Sequence, residues 1–234
     1  VKLEDAQDGL YNAEKAKAEF AKAKETLQAQ GVNFPIHLDL PVSQSDKAGI
    51  QQASSFKQSV ESALGKDNVV VDLQQMSEDD FNNTGYFANS AAQKDYDLST
   101  SGWTPDYQDP STYLDVFDPT NGGLLQAIGI EPGQNQDIVS ALGLNDYKAL
   151  NDDANKETSD TSVRYEKYAA AQAWLTDSAL LIPVTSRTGR PTLTKVVPFS
   201  APFAWSGAKA REAASYNANV MMVYTGAPQN TRRK

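Results

Sequence analysis

Residues 102–115, GWTPDYQDPSTYLD, hold three carboxylates, three aromatic rings and two prolines. Asp106, Asp109 and Asp115, with Asp118 just beyond, could include an acid/base pair for glycoside hydrolysis, which needs two carboxyls several ångströms apart. They could instead ligate calcium, yet the twelve-residue loop spacing with its central glycine is missing. Asp109-Pro110 reads most simply as the cap and first-turn pair of a helix beginning at Ser111-Thr112. Asp106 is harder to dismiss. It follows a predicted strand end and sits between Trp103 and Tyr107, whose rings can exclude water from a carboxylate. An acid held there needs a cationic partner.

Little else in the chain competes for a chemical role. His37 is the only histidine and lies inside a predicted strand, so it reads as a packing or surface residue. One histidine and no cysteine exclude a structural zinc site, a disulfide and a thiol nucleophile. No nucleophile elbow and no glycine-rich phosphate cradle occurs, so neither a catalytic triad nor a cofactor is expected. Ser77-Glu78-Asp79-Asp80 and Asp152-Asp153 are helix-start and solvent-facing acids. Thirty acids against twenty-one bases give a net charge of −9, which repels phosphate backbones and argues against a nucleic-acid partner. With 40% hydrophobic and 22% charged residues the chain can bury a core. Its longest apolar stretches, around 179–184 and 220–224, are too short to span a bilayer.

The elements that must position these side chains follow from periodicity. Asn12 caps a predicted helix that ends near Gln30, with Gly31 at the left-handed position and Ala13, Ala16, Phe20, Ala23 and Leu27 on one face. FPIHLDLP (34–41) alternates and reads as a strand. Ala53, Phe56, Val60 and Leu64 mark a second helix stopped by Gly65, and residues 69–76 a β-branched strand. The S-x-x-D pattern of Ser77 and Asp80 starts a third helix, expected to run to about Ala91. Residues 96–101 read as a further strand leading into the opening motif. Residues 117–157, rich in Gly, Asn, Asp and Pro, are expected to be mostly loop with one or two short helices. A long helix from about Ser162 to Ser178 and a short strand over 180–185 follow, then a proline-punctuated connecting segment. The β-α-β-α-β run predicts an α/β fold: a mixed, largely parallel sheet flanked by helices, with right-handed crossovers.

Gly102, Trp103, Asp106, Tyr107, Asp109 and Pro110 together resemble the signature of extracellular oligopeptide-binding proteins, the substrate receptors of peptide ABC importers (solute-binding protein family 5). The AEKAK helix, FPIHLDLP, the helix containing AAAQAWL and IPVTSRTGRP look like streptococcal lipid-anchored members, so the similarity covers roughly residues 9–210. The resemblance implies that residues 1–234 form a single α/β lobe, the C-terminal lobe of a larger periplasmic-binding-protein-like (class II) receptor. Residues 186–234 would comprise a connecting segment and a tail, and residues 215–234 depart from the family pattern. The absence of a signal peptide and of a lipid-bearing cysteine would then reflect truncation. It further implies a non-catalytic protein at the extracellular face of the cell membrane, lipid-anchored when intact. Its partners would be oligopeptides and the importer's membrane subunits. The motif's aspartate binds the peptide's α-amino group in the family, which carries over to Asp106. Ser101, Gly102, Trp103, Thr104 and Tyr107 accompany it, and the peptide main chain would pair with residues 98–103. Where some members have an arginine that meets the C-terminus of short peptides, this chain has Thr100. The two other function classes the residues leave open are a carboxylate-pair glycosidase and an acidic adhesion or scaffold domain.

Overall fold

The computed structural model describes residues 11–184 apart from Thr104, Asp106 and Gln108. These residues fall into two compact units: one holds the chain up to Ser101 together with Phe117–Lys148, the other Gly102–Val116 and the chain from Ala149 onward.

The first unit begins with α1 (Ala13–Ala29), whose first turn is capped by Asn12: its side-chain oxygen accepts from the Lys15 backbone N–H at 2.9 Å. Gly31 follows at φ +83°, a conformation a Cβ disfavours. Strand β1 (Ile36–Ser43) and strand β2 (Val69–Met76) pair in parallel, from Ile36 opposite Val69 to Ser43 opposite Met76. Helix α2 (Lys47–Leu64) makes the crossover between them, as parallel pairing requires. Ile50, Ala53, Phe56 and Val60 recur every three or four residues, so one face of α2 covers Leu40, Val42, Val71 and Leu73 of the sheet. The α2 N-terminus is held by Asp46, whose carboxylate accepts from the Gly49 N–H at 3.0 Å. Replacing Asp46 with alanine is expected to lower stability by about 1 kcal/mol. Urea denaturation of the chain measures it, and an unchanged midpoint would show that the cap is energetically idle.

The α/β architecture with a parallel sheet stands as expected, but the sheet is smaller. Residues 96–101 form no strand. The backbone N–H groups of both Asp97 and Leu98 donate to the single carbonyl of Asp39, at 3.2 and 3.0 Å, while the Asp97 carboxylate accepts from the Asp39 N–H at 2.8 Å. A ladder needs partners that advance along the neighbouring strand; here the contact pinches to one residue, with an aspartate side chain substituting for a backbone acceptor. Leu98 still packs against the sheet core. Residues 180–184 are likewise not a strand. Thr185 and the connecting segment beyond it lie outside the described residues.

Two helices also differ from expectation. Ser77 does cap α3 (Glu78–Thr84), accepting from the Asp80 N–H at 3.1 Å, but the helix stops at Gly85 instead of near Ala91. Asn82-Asn83-Thr84-Gly85 is a run of poor helix formers. The supposed loop over 117–157 is largely helical. After a short α4 (Ser111–Leu114) and brief 3₁₀ turns come α5 (Gln136–Ala141) and the thirteen-residue α6 (Leu144–Lys156). On α6, Leu144, Tyr147, Asn151 and Ala154 are at most 1% exposed. Their spacing is helical, but a buried asparagine interrupts the apolar pattern and hides it from a hydrophobicity reading. Helix α7 (Thr161–Asp177) forms where predicted, with Tyr168, Ala171 and Leu175 buried and Asp160 as its cap.

Candidate functional site

Of the residues singled out around the opening motif, Ser101 closes the first unit, and Gly102, Trp103 and Tyr107 belong to the second. All four are exposed, as are Ser99 and Thr100. Pro105 is buried. The expectations for Thr104 and Asp106 lie outside the described residues. Residues 99–103 are in neither helix nor strand. Thr100 lines a cleft in the first unit with Ser43, Asp46, Glu78, Phe81 and Asn82. The Tyr107 hydroxyl lies 3.1 Å from the Ser111 hydroxyl.

Asp109 is not the cap itself: Pro110 holds that position of α4 with no side-chain cap bond, and one residue earlier Asp109 Oδ1 accepts from the Ser111 N–H at 3.0 Å. It also does more. Arg164 of α7 donates from Nη2 to both Asp109 oxygens, at 3.0 and 3.2 Å, and to the Tyr168 hydroxyl at 2.6 Å. From Nη1 the same guanidinium donates to the carbonyls of Ala154, Asn155 and Glu157 at the end of α6, at 3.2, 3.2 and 2.9 Å. The Tyr168 hydroxyl donates to Asn155 Oδ1 at 2.6 Å, and its ring lies 4.9 Å from the guanidinium carbon. Burial alone would raise the Asp109 pKa; the hydrogen bonds from Arg164 and Ser111 and the guanidinium charge outweigh it and hold the carboxyl below its ordinary range. Burial, reinforced by the Asp109 charge, pushes the Tyr168 phenol up to about 12. No site role for Arg164, Asn155 or Tyr168 was legible in the sequence. Their i,i+4 spacing on α7 is visible for Arg164 and Tyr168, but their carboxylate partner lies 55 positions away from the arginine.

The neighbouring acids are also held by donors. Asp115 Oδ1 accepts from the Asn151 and Asn155 amides at 2.7 and 3.0 Å. Asp118, in the first unit, accepts from Lys148 at 2.7 Å and from the Thr120 N–H at 2.7 Å. Burial opposes ionisation of Asp118, but these bonds lower its pKa on balance. A glycosidase acid must be held protonated, so Asp109 and Asp118 are shifted the wrong way for that task. His37 lies on the exposed side of β1, 2.7 Å from Asp72. Among the described residues no three His, Asp or Glu side chains gather as metal ligands.

Residues 2–123 match the profile of the bacterial extracellular solute-binding proteins, family 5 Middle. The chain is 60% identical over 217 residues to the oligopeptide-binding protein SarA of Streptococcus gordonii, covering 92% of this chain and 33% of that protein. It is 55% identical over 216 residues to the oligopeptide-binding protein AliB of Streptococcus pneumoniae, with the same coverage. The chain thus spans about a third of the length of these relatives. Among solved structures, the substrate-binding domain of an oligopeptide ABC transporter from Bacillus anthracis shares the fold. Its TM-score is 0.54 at 22% identity, covering 74% of this chain and 28% of that one.

Proposed function

This chain belongs to the bacterial extracellular solute-binding proteins, family 5, and from that premise we propose that it is the C-terminal lobe of an oligopeptide receptor serving an ABC importer. The observation that carries the reading is the 60% identity, over 92% of the chain, to a streptococcal oligopeptide-binding protein. The receptor binds without catalysis, at the extracellular face of the membrane, through a lipid anchor that lies elsewhere in the intact protein. Asp106 holds the α-amino group of the peptide, Trp103 and Tyr107 flank it, and Ser101, Gly102 and Thr104 complete the segment.

The chemistry supports this assignment at two points. An ammonium is the cation that every unblocked peptide carries, so a fixed carboxylate recognises peptides regardless of sequence. Residues 99–103 are exposed and outside the sheet, a state suited to pairing with an extended ligand main chain. In the complete receptor, peptides with a free amino terminus should raise the melting temperature, and N-acetylation should abolish the shift. Equal shifts from both forms would remove the ammonium contact. No shift from any peptide of a mixed-sequence pool would remove the receptor reading itself.

A further inference from the structure

Strand β2 has one edge inside the ladder and one outside it. At the two ends of the β1–β2 pairing, the Ile36 N–H donates to the Asn68 carbonyl at 2.8 Å and the Gln44 N–H to the Met76 carbonyl at 2.9 Å. Backbone groups alternate in direction along a strand, so this register turns those of Val70, Asp72, Gln74 and Met76 toward β1. Val69, Val71, Leu73 and Gln75 turn theirs the other way, where no strand runs among the described residues. What meets these outward groups comes from α2 and the turn after it. The Val69 N–H donates to the Gly65 carbonyl at 3.1 Å. At Val71, which is fully buried, Glu61 Oε1 accepts from the N–H at 3.2 Å and the Lys57 ammonium donates to the carbonyl. Lys57 and Glu61 are themselves paired at 2.5 Å, one helical turn apart. An acceptor and a donor thus stand where a neighbouring strand would place its own carbonyl and N–H.

An open edge of this composition invites another chain. Residues 69–75, VVVDLQQ, combine three valines and a leucine with a single charge and no proline, the make-up of a segment that pairs with its own copies. The outward side of β1 is closed by other means. Pro41 has no N–H to offer there, and the Asp39 N–H and carbonyl are taken by Asp97 and Leu98. On β2 the Lys57–Glu61 pair is what an incoming strand would have to displace. Displacement would leave the Glu61 carboxylate, on a residue only 6% exposed, without the ammonium and the amide that hold it.

We propose that Lys57 and Glu61 stand in for a third strand: they close the outward edge of β2 against strand addition, and the partner they exclude is β2 of a second copy of this chain. A second copy fits the edge. In an antiparallel pair centred on Leu73, the two leucines exchange their outward N–H and carbonyl groups, and Val71 of each strand meets Gln75 of the other. Asp72 then faces Gln74 of the opposite strand, so no like charges sit across from one another.

The test uses the complete receptor and a fluorescein-labelled peptide copying residues 69–76, read by anisotropy well below each variant's melting temperature. The double variant Lys57→Ala/Glu61→Ala, with its fold checked by circular dichroism, is expected to bind the probe saturably, and the parent to leave its anisotropy unchanged. Adding Gln75→Pro removes an outward N–H that the ladder with β1 does not use, and should abolish the binding. A probe with proline in place of Leu73 should not bind the double variant either. Apolar surface exposed by a general loosening of the fold would be indifferent to both prolines, so binding that survives them would overturn the proposal. A folded double variant that ignores the probe would overturn it too, as would a parent that binds equally well. Should the double variant fail to fold, Lys57→Ala alone carries the same comparison with weaker binding, since it frees the Val71 carbonyl and leaves Glu61 beside Lys66.

Discussion

Asp106→Asn in the complete receptor is expected to weaken binding of an unblocked peptide by about 2 to 5 kcal/mol. Asparagine keeps the shape of the side chain and removes its charge, so the loss reads the ion pair and not the packing. Much of that figure is the penalty of leaving the ligand's ammonium desolvated without a counter-charge, since burying a polar group unpaired is more costly than the pair is favourable. Two further readouts follow from the same physics. The mutant should discriminate little between free and N-acetylated peptides, and its affinity should depend less on ionic strength than the parent's. Calorimetry returning parental affinity for the free peptide would remove Asp106 from the site. A loss that is equal for both peptide forms would instead point to a general disturbance of the groove.

The second large effect is on stability. Glu61→Ala is expected to lower the unfolding free energy by about 2 to 3 kcal/mol. Glu61 lies on α2 and is only 6% exposed. Its Oε1 accepts from Lys57 at 2.5 Å and from the Val71 backbone N–H of β2 at 3.2 Å, and Oε2 lies 3.5 Å from Lys66. Lys57 also donates to the Val71 carbonyl, so the pair stitches the crossover helix to the strand it covers. Truncation strands a buried amide, which costs about 1 to 3 kcal/mol. Loss of one partner of a buried pair costs about 3 to 5 kcal/mol. The lower end applies because Lys57 is 31% exposed and can turn to water. The hydrogen bond from Lys57 keeps the Glu61 pKa below its ordinary 4.5 in spite of burial. The unfolded chain therefore binds the proton more readily than the folded one. The contribution is complete above pH 4.5 and fades as pH falls below it. Urea midpoints of parent and Glu61→Gln should thus differ at pH 7 and converge in acid. A constant gap across that range would contradict the linkage.

What could be read from residues in order was whatever is settled within about one helical turn. Asn12 and Ser77 cap helices because their side-chain oxygens meet an N–H three residues on, and Gly31 and Gly65 end helices where the chain needs a positive φ. The bounds of β2 and the position of α7 followed from local β-branching and from 3.6-residue spacing. So did the family signature, since Trp103, Asp106, Tyr107 and Asp109 are neighbours along the chain. The tertiary structure decided the rest, and in each case the deciding partner is remote. Residues 96–101 have alternating character, yet whether they become a strand depends on how they meet Asp39, and that meeting is a pinch. Helix α6 buries Leu144, Tyr147 and Asn151, and the Asn151 side-chain N–H donates to Asp115, 36 positions away. Asp109 looked like a cap but stands one residue ahead of it, and its charge is balanced by Arg164 across 55 positions. Caps and periodicities are properties of adjacent residues and survive in a linear string. Ladders and buried ion pairs need partners, and a low-dielectric surrounding, that distant segments supply, so they exist only once the chain has closed around them.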